Sequence, residues 1–190
     1  MKVITPLSED QNVDYMNSYT IFLAGGCTTA WRDEFVKKIS ARCTSKNIVV
    51  FSPFCDSKNI KLRDLLFWER EHLLNCHMIV FNFEGSDSPQ PGSMFELGRY
   101  GIMKAVWGNT IVNIDDNFKL KREVEVHLEA MNIDAKEFSH STEASKVEVI
   151  HSDLDKMIER CAEIIDPNKN TNYAAQDRMK ILWDDGKDYI

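Results

Sequence analysis

No stretch of this 190-residue chain approaches the roughly 18–20 consecutive apolar residues that a membrane-spanning helix needs. The opening MKVITPLSEDQNVDYMNSY also lacks the apolar core of a secretion signal. The expectation is a cytoplasmic protein with no membrane partner. Cysteine is sparse: Cys27, Cys43, Cys55, Cys76 and Cys161 are odd in number and never spaced as C-x-x-C, which excludes a disulfide framework and a zinc knuckle. The histidines at 72, 77, 127, 140 and 151 show no H-E-x-x-H or related ligand spacing, so neither a metal nor another cofactor is expected. Long basic runs are missing too. With 23 Lys and Arg against 30 Asp and Glu, the net charge is -7, and a chain that cannot neutralise many phosphates is a poor partner for polymeric nucleic acid. The short cluster Lys119, Lys121 and Arg122 reads as one solvated helix turn, while a small anionic ligand remains compatible with this charge.

What is present is an alternation of strand and helix patterns. Hydrophobic residues at 43% and charged residues at 28% are ordinary for a globular domain with a real core. After a polar leader over 1–18, Tyr19–Ala24 (YTIFLA) is a buried strand that stops at Gly25-Gly26. A helix follows from about Thr29 to Cys43, with Trp31, Phe35 and Ile39 on one side and Arg42 or Cys43 completing it. Asn47–Phe51 (NIVVF) is a second strand, and Lys61–Cys76 carries Leu62, Leu65, Leu66, Leu73 and Leu74 at helical spacing. Met78–Phe83 (MIVFNF) is apolar on both faces, as in the centre of a parallel sheet. Beyond the loop EGSDSPQPGS come a helix near Met94–Val106, a strand at Thr110–Ile114, a helix over Lys119–Met131, a strand at Lys146–Ile150, and a helix with Leu154, Met157, Ile158, Cys161 and Ile165 on one stripe. The polar run Asn168–Asn172 leads to a last short helix near Ala174–Trp183 whose apolar side needs a docking surface. There are no internal repeats. The prediction is an α/β domain over 19–166, a doubly wound, flavodoxin-like, five-stranded parallel sheet with helices on both faces, followed by a linker and docking helix over 167–190.

In such folds ligands bind at the carboxyl ends of the strands, where strand order reverses. If the strands at Tyr19 and Met78 are central neighbours, the loops behind them converge on one crevice. Those loops hold Gly25-Gly26-Cys27-Thr28-Thr29 and Glu84–Ser93, the two most unusual in the chain.

Three segments read in order, IFLAGG (Ile21–Gly26), WERxxLxxC (Trp68–Cys76) and PGSMFELGRYG (Pro91–Gly101), resemble the nucleoside 2-deoxyribosyltransferase family and its deoxynucleotide N-hydrolase relatives over about residues 19–130. The first segment alone is weak, GSMFELG at the right place in a βα unit is more specific, and the ordered set is stronger than either. The resemblance implies a double displacement at the anomeric carbon of a deoxyribosyl group, with Glu96 as the attacking carboxylate and another base or water taking the sugar. A first-turn position would favour ionised Glu96 through the helix dipole. The competing reading makes Ser93-Met94-Phe95-Glu96 a plain capping box. Gly98 within a helix needs a packing or access reason.

By the same resemblance Glu69 is placed to protonate or orient the leaving base; a solvated position in Glu69-Arg70-Glu71 competes with that role. Gly92 and Ser93 would bring a backbone amide and a hydroxyl toward the sugar. Gln90 or Asp87 would contact sugar or phosphate, against simple loop solvation. Gly25 and Gly26 allow close approach of backbone to a ligand, and Thr28 and Thr29 offer hydroxyls at a helix start, where an N-cap competes. Trp31 is open between stacking a base and filling the core, whereas Trp68 is assigned to the core.

The chain departs from the family pattern in three places. Relatives commonly carry Tyr where Phe22 stands, so Phe22, otherwise placed at the substrate, supplies no hydroxyl to hold the catalytic carboxylate. His77 replaces a common Asp and is read as a buried, satisfied histidine or a titrating group. Thr28 occupies the place of a phosphate-holding Arg, for which Arg32 is the substitute one turn on. The implied partner is a small nucleoside or nucleotide, in a homo-oligomer whose neighbour's Tyr189 and terminal carboxylate help close the site. The alternative activity is a weakly catalytic module that senses a nucleotide or an ADP-ribose-like ligand.

Overall fold

The computed structural model describes residues 1–26, 30–44, 47–53, 60–85, 88–138 and 147–165. Its centre is a parallel sheet built from β1 (Lys2–Ile4), β2 (Tyr19–Gly25), β3 (Ile48–Phe51), β4 (Met78–Phe83), β5 (Asn109–Ile114) and β6 (Val147–His151). Their order across the sheet is β1-β3-β2-β4-β5-β6. The chain winds outward one way from β2 through β3 and the other way through β4, β5 and β6. Strand order therefore reverses between β2 and β4, which pair directly from Ile21 against Met78 to Gly25 against Asn82.

Six strands stand where the sequence predicts five. The extra one lies inside the stretch read as leader: Lys2, Val3 and Ile4 pair with Val49, Val50 and Phe51. Three residues carry too little pattern to announce a strand, and this one is completed by the open edge of β3.

The apolar runs explain the layering. Residues of one parity along the strands, among them Phe22, Phe51, Phe81, Phe83 and Val112, form a core with Leu73, Leu97, Tyr100, Val124 and Leu128. That face is covered by α2 (Leu62–Asn75), by the contiguous helical segments α3 (Pro91–Glu96), a π-helical turn (Leu97–Gly101) and α4 (Ile102–Trp107), and by α5 (Lys121–Phe138). The other parity, with Ile21, Leu23, Val50, Val80 and Ile111, packs against α1 (Trp31–Arg42) and α6 (Leu154–Ile165). Along α1 the predicted stripe of Trp31, Phe35 and Ile39 is buried, and Cys43 rather than Arg42 completes it. The predicted helix near Ala174–Trp183 lies outside the described residues.

Candidate active site

The crevice begins where β2 ends. Gly25 has φ +124°, and any Cβ there would run into the main chain of Asn82; a Cβ on Gly26 would collide with the Glu84 carboxylate. The Gly26 amide donates to the Asn82 carbonyl at 3.1 Å. On sequence alone these glycines are assigned to a ligand. Their missing side chains instead let the exits of β2 and β4 lie against each other, a close approach only glycine permits.

Arg32, in the first turn of α1, is 5% exposed. It donates to the carbonyls of Gly26 (2.5 Å) and Gly25 (3.2 Å), with a longer 3.4 Å contact to Leu23. Its guanidinium lies 4.6 Å from the centre of the Trp31 ring, and the Trp31 indole N–H donates to Gly26 at 3.1 Å. Arg32 is thus a cation tied to the glycine bend, a use different from that of a phosphate holder. Trp31, 3% exposed, is a core residue. Thr28 lies outside the described residues.

The second wall is α2. Leu66, Glu69, Arg70 and Leu73 follow i, i+3, i+4, i+7 spacing and share one face, which lines a cavity of about 230 Å³. The opposite wall consists of Phe95, Glu96, Arg99 and Tyr100. Glu69 and Glu96, separated by 27 positions in the chain, meet at this cavity. Helical spacing of three or four around each glutamate is the signal by which Leu66, Arg99 and Tyr100 could have been found.

The position of Glu96 within its helix differs from the expected one. Pro91, with its fixed φ and absent N–H, occupies the first helical position, so the helix starts three residues earlier than the predicted Met94. Ser93 is then the third helical residue and makes no capping bond. Glu96 sits in the second turn, beyond the reach of the strongest dipole effect. The capping box is therefore absent. Among the described residues the Glu96 and Glu69 carboxyls accept no hydrogen bond.

The electrostatics also run against the sequence expectation. Burial pushes the Glu96 carboxyl up to about 8, with the nearby Glu69 charge adding to the rise and Arg32 opposing it. Burial likewise raises Glu69 to about 7, again opposed by Arg32. Two desolvated carboxyls facing one cavity titrate as a pair and share a proton near neutrality. Burial and the Glu69 charge thus oppose the ionised form of Glu96 that a helix dipole would have favoured.

The remaining predicted residues divide. Gln90 is a left-handed N-cap with φ 46°; its Nε2 donates to the Glu84 carbonyl at 3.1 Å, and its Oε1 is buried with no partner among the described residues. Ser93 is buried and Gly92 is exposed beside open space; neither lines the 230 Å³ cavity. Asp87 lies outside the described residues. Phe22 is fully buried within the sheet, its ring centre 6.2 Å from that of Trp68. Trp68 is half-buried and packs against the core. Gly98 falls in the π-helical turn with open space around it.

His77 stands at the start of β4, at the opposite end of the sheet. Its Nδ1 accepts from the Thr20 amide (3.1 Å) and the Thr20 hydroxyl (2.7 Å), and burial, aided by Lys104, lowers its pKa to about 4. It is the satisfied, neutral histidine of the first alternative.

Among the described residues no group of three or more His, Cys, Asp or Glu is placed to hold a metal ion, and no helix is long and apolar enough to cross a membrane. None of the curated proteins matches the chain significantly. A family model described as "Nucleoside 2-deoxyribosyltransferase like" matches residues 18–118, a span that contains β2 through β5, both glycines of the bend, Glu69 and Glu96. The chain belongs to this nucleoside 2-deoxyribosyltransferase-like family.

Proposed function

We propose that the protein cleaves the N-glycosidic bond of a 2′-deoxynucleoside or its 5′-monophosphate, with Glu96 as nucleophile and Glu69 as the acid that protonates the leaving base. One observation carries the reading: two carboxyls with raised pKa and no hydrogen-bond partner among the described residues line the same small cavity. Pairs of this kind divide the labour of glycoside chemistry, one attacking and one donating a proton.

An oxygen of ionised Glu96 attacks C1′, the C1′–N bond breaks, and the base leaves with the proton of Glu69. The resulting glycosyl ester is then opened by water or a second base, whose proton returns to Glu69, and Glu96 is released as carboxylate. With titrations at about 7 and about 8, the pair holds one proton between those values. Attack requires that proton on Glu69, and a bound sugar that hydrogen-bonds to Glu96 favours this arrangement. Arg32 assists by stabilising negative charge on either member.

The apolar side chains at the cavity mouth, Leu66 at 55%, Phe67 at 57% and Phe95 at 67% exposed, support a homo-oligomer in which a second copy covers them. Cytoplasmic residence belongs to the same proposal. A second reading, a binding module with weak chemistry, draws on Phe22, which offers no hydroxyl to the carboxylate.

The test is base release, measured by chromatography, from a panel of deoxynucleosides and their monophosphates, with and without acceptor bases. Glu96→Gln is expected to lower turnover by about 10⁴-fold or more. Unchanged turnover in that variant removes Glu96 from the mechanism, and binding without turnover in the parent protein favours the module.

A further inference from the structure

A second and wider crevice, of about 710 Å³, opens on the α1–α6 side of the sheet and shares no lining residue with the catalytic cavity. Its volume lies within the roughly 300–1,000 Å³ of small-molecule sites. Ala30, Trp31 and the first turns of α1 form one wall, Asp115, Ser152 and Leu154 the other, and Asn82 and Asn113 line it between them.

These two asparagines are the anomaly. Each interrupts an apolar run, MIVFNF in β4 and NTIVNI in β5, and they are register partners across the two strands. Each continues a row that is apolar further down, Val80 beside Ile111. Both are 5% exposed, and an amide this desolvated costs stability unless its hydrogen bonds are made.

A chain of bonds fixes which way each amide points. The Asp153 amide donates to Asn113 Oδ1 at 3.2 Å, so the Asn113 nitrogen faces β4. That nitrogen donates to Asn82 Oδ1 at 2.8 Å, so the Asn82 oxygen faces β5. Asn82 Nδ2 is left as a donor with no acceptor among the described residues, at the surface of the crevice.

We propose that this crevice is a second binding site, for a small uncharged molecule whose polar edge sets a hydrogen-bond acceptor beside N–H or O–H donors, with Asn82 reading the acceptor. The donors of such an edge face carboxylates: Glu84 and Asp115 line the crevice, as do Asp33 and Glu34 nearer its rim. Against these stand Lys37 and Lys38, and Lys38 is already paired with Glu34 and Asp155. The negative balance repels phosphates and selects neutral ligands. Nucleobases and free sugars both present the required edge.

The experiment monitors the side-chain amide signals of Asn82 and Asn113 by ¹H–¹⁵N NMR in the full-length protein during titration with adenine, cytosine, thymine or 2-deoxyribose. Glu96→Gln is used as background so that chemistry at the other cavity cannot interfere. Saturable movement of the Asn82 signal by a base or by the sugar is expected, and the arm that saturates identifies the source. Asn82→Asp keeps the acceptor for Asn113 and replaces the donor with a carboxylate oxygen; it should weaken binding by about tenfold or more, the worth of at least one buried hydrogen bond. Absence of movement with every probe overturns the proposal, as does movement confined to the backbone amides of Phe95 and Tyr100 or undiminished affinity in Asn82→Asp. If Asn82→Asp does not fold, the titration of the unsubstituted side chain decides alone. Loss of this binding would leave the role of Glu96 untouched, since the two readouts are independent.

Discussion

The two ends of the sheet differ in how fully their buried polar groups are satisfied. At the amino end each one described is bonded. His77 is held by Thr20, the Thr110 hydroxyl donates to the Gly101 carbonyl at 3.0 Å, and the Lys104 ammonium, 5% exposed, donates to the Leu74 and Cys76 carbonyls at 2.8 and 2.5 Å. Lys104 thereby caps the end of α2, where a cation is favoured by the helix dipole. At the carboxyl end bonded groups such as Arg32 and Asn113 stand beside unsatisfied ones: among the described residues the half-buried Glu69 and Glu96 accept no bond, the Gln90 Oε1 has no partner, and the Asn82 Nδ2 has no acceptor. Burial with partners is structure, whereas burial without them costs stability that a bound ligand or water recovers.

This contrast is broken or sharpened most strongly at Glu69. Glu69→Gln removes the proposed proton donor and should lower base release by about 10²–10⁴-fold. It also removes the neighbouring negative charge, so the Glu96 carboxyl, read by ¹³C NMR, should titrate below its present value of about 8. An unchanged Glu96 titration would separate the two groups electrostatically. In the parent protein the rate should rise with pH through about 7, as the pair loses its first proton, and fall through about 8, as it loses the second.

Lys104→Met tests the amino end. Two carbonyls lose their cation, and a loss on the order of 2–3 kcal/mol in unfolding free energy by urea titration is expected. The turnover of the folded fraction should stay unchanged, and a change in turnover would show that the two ends communicate.

Acid stability provides the third test. His77 titrates at about 4 in the folded chain against an ordinary 6.5, so the unfolded chain binds the proton first. Stability is fully present above pH 6.5 and is lost as pH falls toward 4. His77→Asn should flatten that decline by on the order of 1 kcal/mol, read as thermal midpoints across the window. The glutamate pair has the opposite sign: with folded values raised above 4.5, its contribution is present below that value and is lost as pH rises through about 7 and 8. The smallest effect is expected at Gly98→Ala. The new methyl meets nothing within 4 Å, so lowered backbone freedom should raise stability by about 0.5–1 kcal/mol; a loss of stability would indicate that another surface lies there.

Much of the scaffold is legible because parallel strands buried on both faces must be apolar throughout, as MIVFNF and YTIFLA are, and because the helix stripes are complete. β1 is not, since three residues at an edge carry no periodicity of their own. The meeting of Glu69 with Glu96 is implied by family resemblance and not by spacing, as the two lie on different helices. The protonation preference of Glu96 escapes the sequence because it comes from burial and the nearby Glu69 charge, whereas the misplaced helix start has a local reason: Pro91 reads as loop although proline suits a first helical position. Arg32 shows what sequence cannot convey, because its bonds are to main-chain carbonyls that any residue would provide. Asn82 and Asn113 are visible as polar letters in apolar runs, and their significance emerges only with their adjacency.

The π-helical turn at Leu97–Gly101 has a consequence for how this helix tolerates change. Such a turn is equivalent to one residue inserted into an α-helix, and each residue of offset rotates the segment before it by about 100° relative to the segment after it. Glu96 lies on one side of that offset and the helical segment carrying Lys104 on the other. Deleting a single residue within Leu97–Gly101 would restore ordinary helical winding while swinging the carboxylate a quarter-turn or more from its cavity, so shortening the turn is incompatible with keeping both ends of the helix seated.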